Sequence, residues 1–247
     1  MPLRFCRCAI VAALMAALVS GCGKTADSGD AIVIARQGAF PVGGTILGDP
    51  LGSSLHCDHG VVEYQIPPNP RPVNLLMWHS ASTVAWQQRW DGGEGFQSIF
   101  LRRGFPVYLW DGPRVGRANW GCADTTFAAE LGRDQRNFIA WRFGLEYPHW
   151  FDGVQFPTED PEAWNAATRG RYQEFDSVEN AELQADAAAL EQSKLFVEVI
   201  KKYGGDAELL MLRDAGLVGN THIPFADMNN VEVADLLSEF LNAHSLD

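Results

Sequence analysis

The pattern of apolar and polar positions is clearest in Val73–Asp111, where it predicts a strand, a helix and a second strand. Val73–Trp78 is a nearly continuous apolar run, which is typical of a strand buried on both faces. Glu94–Arg103 carries apolar residues at helical spacing, and Gly104 follows where a glycine commonly ends a helix. Phe105–Trp110 is the next apolar run. A strand, a crossover helix and a strand in this order predict a parallel pair joined by a right-handed connection.

The same pattern predicts the other elements of the chain. Antiparallel edge strands are expected at Ala31–Ala35 and Gly60–Ile66, with turns at Gly43-Gly44 and Gly48-Asp49-Pro50 between them. Later in the chain the pattern predicts a helix at Thr125–Phe143, a long helix at Val178–Tyr203, a strand at Glu208–Leu212 and a helix at Val231–Ala243. Strands that alternate with helices in this way indicate an α/β fold.

The long helix is unusual in its length and in its apolar face. It exceeds the length of about 20 residues that ordinary globular helices reach. Its first half places Leu183, Ala187 and Leu190 on one stripe, whereas its second half places Phe196 and Val199 on another, roughly 150° away at 100° per residue. We therefore expect two helical pieces joined end to end near residues 190–194.

The N-terminus has the features of a targeting segment. Arg4 and Arg7 precede the apolar run Ala9–Val19, which is too short to span a bilayer as a permanent helix. Val19-Ser20-Gly21-Cys22 then resembles the bacterial lipobox, whose cysteine is lipidated; an ordinary cleavage site with an incidental cysteine is the alternative. The prediction is a signal peptide at residues 1–21, lipidation at Cys22, a flexible tether at 22–30, and export to the bacterial cell envelope with a lipid anchor.

The charge balance excludes one class of partner. The chain has 19 basic and 31 acidic residues and a formal net charge of −12. No basic stripe is present that could neutralise the phosphates of a nucleic acid, so a nucleic-acid partner is not expected.

His56-Cys57-Asp58-His59 contains four types of metal ligand in a row. Adjacent ligands seldom converge on one ion, and no second cluster completes a tetrahedron, so no metal is predicted. An exported chain matures in an oxidising compartment, and outside the signal peptide and lipobox the other cysteine is Cys122. A Cys57–Cys122 disulfide is therefore expected.

The glycine-rich loop Asp111–Arg117 follows a predicted strand but lacks the motifs of nucleotide sites. It has neither the Lys-Ser/Thr pair of a phosphate loop nor the G-x-G-x-x-G of a dinucleotide site. No cofactor is predicted.

Short motifs recur in a consistent order along the chain. They are Gln37-Gly38-Ala39-Phe40, Tyr64-Gln65-Ile66-Pro67, Phe100-Leu101-Arg102-Arg103-Gly104-Phe105, Arg142-Phe143-Gly144, Gln155-Phe156-Pro157 and Gly219-Asn220-Thr221-His222. Over roughly residues 37–185 and 194–243 they resemble secreted bacterial serine esterases of the α/β-hydrolase superfamily. The resemblance implies one α/β-hydrolase-like domain at residues 31–247, with a mostly parallel sheet and flanking helices.

The resemblance also implies site residues. In that family a serine on a strand-to-helix elbow attacks an ester, a histidine takes its proton, and backbone N–H groups stabilise the oxyanion. His222 matches the general base, and an oxyanion N–H is expected from Ser80 or Ala81. The nucleophile is missing, because no G-x-S-x-G lies between Asp111 and His222. Ser80 and Ser82 are nominal substitutes, but a loop serine without an elbow is more often structural.

The missing elbow coincides with the change of apolar face in the long helix. We therefore predict a truncated fold whose central strands are absent, with an internal deletion near residues 185–194. Glu208–Leu212 is then expected to pair in parallel with Val73–Trp78, which would bring the His222 loop towards residues 80–82.

Three functions follow from these observations. The first is hydrolysis of small-molecule carboxylic esters, impaired or abolished by the lost elbow. The second is a non-catalytic surface lipoprotein that binds a ligand or a partner. The third is a metal-assisted hydrolase that uses His56, Cys57 and His59.

Overall fold

The computed structural model describes residues 31–78, 83–112, 118, 122, 134–169 and 188–247. The strands of these residues are β1 (Arg36–Gly48), β2 (Ser54–Ile66), β3 (Leu75–Trp78), β4 (Val107–Asp111), β5 (Gly144–Glu146) and β6 (His149–Trp150). The helices are α1 (Val84–Gln87), α2 (Phe96–Arg102), α3 (Asp134–Ala140), α4 (Pro161–Arg169), α5 (Ala188–Lys202) and α6 (Asn230–Ala243). The predicted signal peptide, the tether and Cys22 lie outside the described residues.

The main sheet has the strand order β1-β2-β4-β3. β1 pairs with β2 and β2 pairs with β4 in antiparallel fashion, whereas β3 and β4 are parallel. The expectation of a mostly parallel sheet is therefore wrong for the described residues. The physical reason is the short connection between β1 and β2, since a connection of a few residues can join only antiparallel neighbours.

The β1–β2 hairpin reverses at the second of its two predicted turns, Gly48-Asp49-Pro50, which is confirmed. The strand predicted at Ala31–Ala35 is wrong, because these residues precede β1, which begins at Arg36. The sequence suggested a turn at Gly43-Gly44, but both glycines have positive φ inside β1, and the strand continues to Gly48. The chain reverses after Gly48, where the amide of Asp49 donates to the carbonyl of Ser53 at 3.0 Å. Glycines that adopt positive φ within a strand mark an irregularity rather than a chain reversal.

The unit around β3 and β4 confirms the central prediction. The two strands pair in parallel, and α2 occupies most of the predicted helix between them. Gly104 follows α2 with φ 85°, which a residue with a Cβ would adopt only with strain. One face of this pair packs on α2, which in turn packs against α6. Leu109, Phe100 and Phe105 are completely or almost completely buried there.

The opposite face of β3 is open. Leu76 is 63% exposed and Trp78 is 58% exposed, although the run was predicted to be buried on both faces. Trp78 contacts Trp110 of β4 across the strand pair, with ring centroids 5.4 Å apart. Among the described strands β3 pairs with β4 alone, so its other side is an edge of the sheet.

A second part of the core is aromatic. Phe143 lies at its centre, with ring centroids 4.6 Å from Phe156, 5.4 Å from Trp150 and 6.0 Å from Trp164. Phe138 of α3 closes the cluster from one side. These rings pack α3, α4 and the β5–β6 pair together, which shows that several of the chain's aromatic residues serve the core.

The C-terminal region agrees with the prediction in its helix and differs in its strand. α6 coincides with the predicted helix at Val231–Ala243, beginning one residue earlier. Glu208–Leu212 is not a strand: it leads into a turn in which the amide of Asp214 donates to the carbonyl of Met211 at 2.8 Å. The expected pairing of this segment with β3 is therefore wrong. An apolar run forms a strand only where a neighbour accepts its hydrogen bonds.

α5 accounts for the second half of the predicted long helix. It runs through the expected junction at residues 190–194 without a break. Residues 170–187, which include the first half of that helix, lie outside the described residues. None of the helices in the described ranges is long and apolar enough to cross a membrane.

The structure contains a disulfide between Cys57 and Cys122. The two Cα atoms are 4.9 Å apart, and the residues are separated by 65 positions in the sequence. Cys57 is completely buried in β2. The bond therefore ties β2 to the segment that follows β4.

Candidate functional site

The site is built on the loop between α5 and α6 that carries His222. The loop is held at its start by Gly219, which adopts φ 77° and whose carbonyl accepts a hydrogen bond from the amide of Gln155 at 2.8 Å. A Cβ at this position would collide with the carbonyl oxygen of Gly153. The amide of Met228 donates back to the carbonyl of Gln155 at 3.1 Å. Gln155 therefore anchors both ends of the loop.

Three consecutive backbone amides around His222 have fixed acceptors. The amide of Thr221 donates to Oδ2 of Asp227 at 2.7 Å, and the amide of His222 donates to the carbonyl of Trp141 at 2.9 Å. The amide of Ile223 donates to Oγ1 of Thr221 at 3.0 Å. The main chain is thus held before, at and after the histidine.

Asp227 is the fully buried centre of this arrangement. Its Oδ1 accepts from the hydroxyl of Thr221 at 2.6 Å and from Nε1 of Trp90 at 2.9 Å. Its Oδ2 accepts from the amide of Thr221 and from Nδ2 of Asn220 at 3.1 Å. Burial raises the pKa of Asp227, while the hydrogen bonds from Thr221, Trp90 and Asn220 act in the opposite direction. These donors compensate the cost of burying the carboxylate.

The loop packs against the segment that follows β3. The ring of Phe225 stacks on Trp86 of α1 with centroids 3.6 Å apart, and the amide of Trp90 donates to the carbonyl of Ala226 at 2.9 Å. At the start of α1 the amide of Thr83 donates to Oδ1 of Asp111 at 3.1 Å. The end of β4 is therefore linked to the His222 loop through residues 83–90.

The electrostatics favour a neutral imidazole at position 222. Burial lowers the pKa of His222, and the positive charge of Arg142 lowers it further. Arg142 follows α3 with φ 64°, next to Trp141, whose carbonyl binds the His222 amide. A neutral imidazole at pH 7 can accept a proton, which is what a general base must do.

The other predicted site residues have different outcomes. Ser80 and Ala81, the candidates for the oxyanion N–H, lie outside the described residues, as does the lipidation candidate Cys22. The rings of His56 and His59 are 5.9 Å apart, but Cys57 between them is in a disulfide and has no thiolate to offer a metal. In the described part of the chain no three His, Cys, Asp or Glu side chains are grouped so that they could hold an ion.

Sequence reasoning missed Asp227 and Asp111. Both are buried carboxylates that accept backbone amides, and a carboxylate in a polar sequence gives no sign of burial. The available signal was the spacing of Thr221 and Asp227, because short polar residues several positions apart in a loop often bond to each other's main chain.

Comparison with known proteins shows a similarity of fold. No protein-family model matches the chain, and no curated protein matches it. A solved structure described as a novel bacterial esterase aligns with a TM-score of 0.70 and 19% sequence identity, covering 87% of this chain and 98% of that one. At this identity the similarity shows a common fold. The chain therefore has an α/β fold with a mixed sheet and flanking helices, like that of the esterase.

Proposed function

We propose that this chain is a carboxylic ester hydrolase of the α/β-hydrolase superfamily in which turnover is impaired. The observation that carries the proposal is the His222 loop. Its histidine is half-buried, its pKa is lowered, and its main chain is held by Trp141 and Thr221. The fold shared with a bacterial esterase supports ester hydrolysis as the reaction class.

His222 would be the general base of this reaction if the chain supplied the missing nucleophile. It would take a proton from the attacking hydroxyl and later return it to the leaving group. The backbone N–H of Ser80 or Ala81 would stabilise the developing oxyanion. The substrate is a small-molecule ester, and no step requires a cofactor or a metal ion.

The impairment follows from the sequence between Asp111 and His222. It contains no serine in a strand-to-helix elbow motif. Of its two serines, Ser177 immediately precedes the predicted long helix Val178–Tyr203 and Ser193 lies within it. Without a nucleophile, only the residual catalysis of substrate binding and oxyanion stabilisation remains. We place the missing block near residues 185–194, and sequencing the transcript across codons 180–200 tests this position.

A fluorophosphonate probe tests the proposal. We expect no covalent labelling of the wild type and hydrolysis of a p-nitrophenyl ester near the uncatalysed rate, with no change in His222→Ala. His149→Ala is the matched control, because His149 is an exposed histidine in β6.

The other outcomes are equally informative. Stoichiometric labelling that is lost in His222→Ala would show an intact nucleophile and refute the impairment, and the labelled peptide would identify the serine. Labelling that survives in His222→Ala and in His149→Ala would refute the assignment of His222 as the base.

We further propose that the mature protein begins at a lipidated Cys22 and is attached to the bacterial cell envelope. The support is the order of basic residues, short apolar run and lipobox in residues 1–22. The domain at 31–247 would then be held at the membrane by its tether, residues 22–30.

A further inference from the structure

We propose that Asp227 is a positioning residue that fixes the His222 loop by joining Thr221, Asn220 and Trp90 through one buried carboxylate. The link to catalysis rests on the proposed role of His222, but the positioning itself does not depend on turnover.

The geometry shows how the carboxylate acts on its neighbours. Asp227 lies five residues after His222, yet it binds both the amide and the hydroxyl of Thr221, the residue just before the histidine. The Thr221 hydroxyl oxygen in turn accepts a hydrogen bond from the amide of Ile223, the residue just after the histidine. One side chain thereby controls the peptide units on both sides of His222.

The carboxylate also joins the loop to a different part of the fold. Nε1 of Trp90 donates to Oδ1 of Asp227, and the amide of Trp90 donates to the carbonyl of Ala226. Trp90 is itself packed in the aromatic core, with its ring centroid 5.5 Å from that of Phe156. The position of the loop is therefore set by the core and not by the loop alone.

The chemistry of the site requires a carboxylate. Each oxygen of Asp227 accepts two hydrogen bonds, and at least one donor on each oxygen is an N–H group. In Asp227→Asn the amide NH₂ would face either the indole N–H of Trp90 or the amide of Thr221. At least one N–H donor would then lose its acceptor in a buried site.

The test uses NMR to measure the titration midpoint of the His222 ring and the hydrogen-exchange rates of the Thr221 and Ile223 amides. In the wild type we expect the Cε1 proton of His222 to titrate below the usual histidine range, because burial and Arg142 lower its pKa. In Asp227→Asn we expect the midpoint to differ from that of the wild type, because the loop that holds the ring is no longer fixed by the carboxylate. We also expect the Thr221 and Ile223 amides to exchange about tenfold faster or more. Neither readout requires ester turnover.

The control is Asp160→Asn. At the start of α4, Oδ1 of Asp160 accepts a hydrogen bond from the backbone amide of Glu162 at 3.0 Å. This change also replaces a carboxylate that accepts a backbone N–H, so it should leave the His222 titration and the Thr221 amide unaltered.

A second pair of variants keeps the test decisive if Asp227→Asn does not fold. Thr221→Val removes the hydroxyl that joins Asp227 to the Ile223 amide, whereas Thr221→Ser keeps it. We expect a shifted His222 midpoint and faster Ile223 exchange in Thr221→Val, and wild-type values in Thr221→Ser.

The proposal is overturned if folded Asp227→Asn keeps both the wild-type titration and the wild-type exchange rates. It is also overturned if Thr221→Val and Thr221→Ser behave alike. A failure of His222 as a catalytic base would appear only with the fluorophosphonate probe, so the two proposals fail in distinguishable ways.

Discussion

Removing the Cys57–Cys122 disulfide should lower the free energy of unfolding by about 4 kcal/mol. The bond closes a loop defined by a sequence separation of 65 residues. In the chain-entropy model a loop of that length restricts the unfolded chain by about 14 to 15 cal/mol/K, which is about 4 kcal/mol at room temperature. Typical domains are stable by only about 5–15 kcal/mol, so the loss is a large fraction of the total.

The variant to measure combines Cys57→Ala with Cys122→Ser. Alanine suits position 57 because that side chain is fully buried and a hydroxyl there would need a new partner. Urea unfolding followed by circular dichroism should show a lower midpoint. The dependence on urea should be steeper, since the unfolded chain without the cross-link exposes more surface. Reduced wild type should match the variant, and reductant should leave the variant unchanged.

Two results would refute this reasoning. One is a loss of stability below about 1 kcal/mol, which would mean that the loop closure does not restrict the unfolded state as the model requires. The other is a non-reducing peptide map without a fragment that links the two cysteines.

Three further predictions concern other parts of the chain. Arg142→Gln should raise the pKa of His222, because a positive charge that disfavours the imidazolium is removed; an unchanged NMR titration would contradict this. Gly219→Ala should lower the urea midpoint by more than Gly216→Ala, since both glycines have positive φ but a Cβ meets a carbonyl oxygen only at the first; equal losses would contradict the close approach. Cys22→Ser should release the protein or leave it unprocessed, and wild type that incorporates no radioactive palmitate would exclude lipidation.

The sequence predicted those parts of the fold in which local pattern and packing agree. α2 combines apolar residues at helical spacing with Gly104 at its end, and the structure has both. β3 and β4 were recognised as apolar runs on either side of that helix, and their parallel pairing followed from the connection rule. α6 is an amphipathic helix whose inner side joins the core through Ala234 and Leu241.

The sequence could not predict features that depend on a distant neighbour. Glu208–Leu212 has the composition of a strand, but no strand among the described residues pairs with it, and Leu210 is half exposed. The resemblance to esterases implies a mostly parallel sheet. Such a sheet needs further parallel strands, and the described part of this chain does not contain them. Asp227 was missed for a similar reason, since its partner Trp90 lies 137 positions away.

The open face of β3 makes the intrinsic fluorescence of the protein informative. Trp78 is largely exposed, whereas Trp141 and Trp164 are more than nine-tenths buried. The emission should therefore contain a long-wavelength component that acrylamide quenches easily and a short-wavelength component that it reaches poorly. A strand or helix that came to cover β3 would shift the first component to the blue and leave the second in place. Trp78 thus reports, without any added label, whether this side of the sheet is open or occupied.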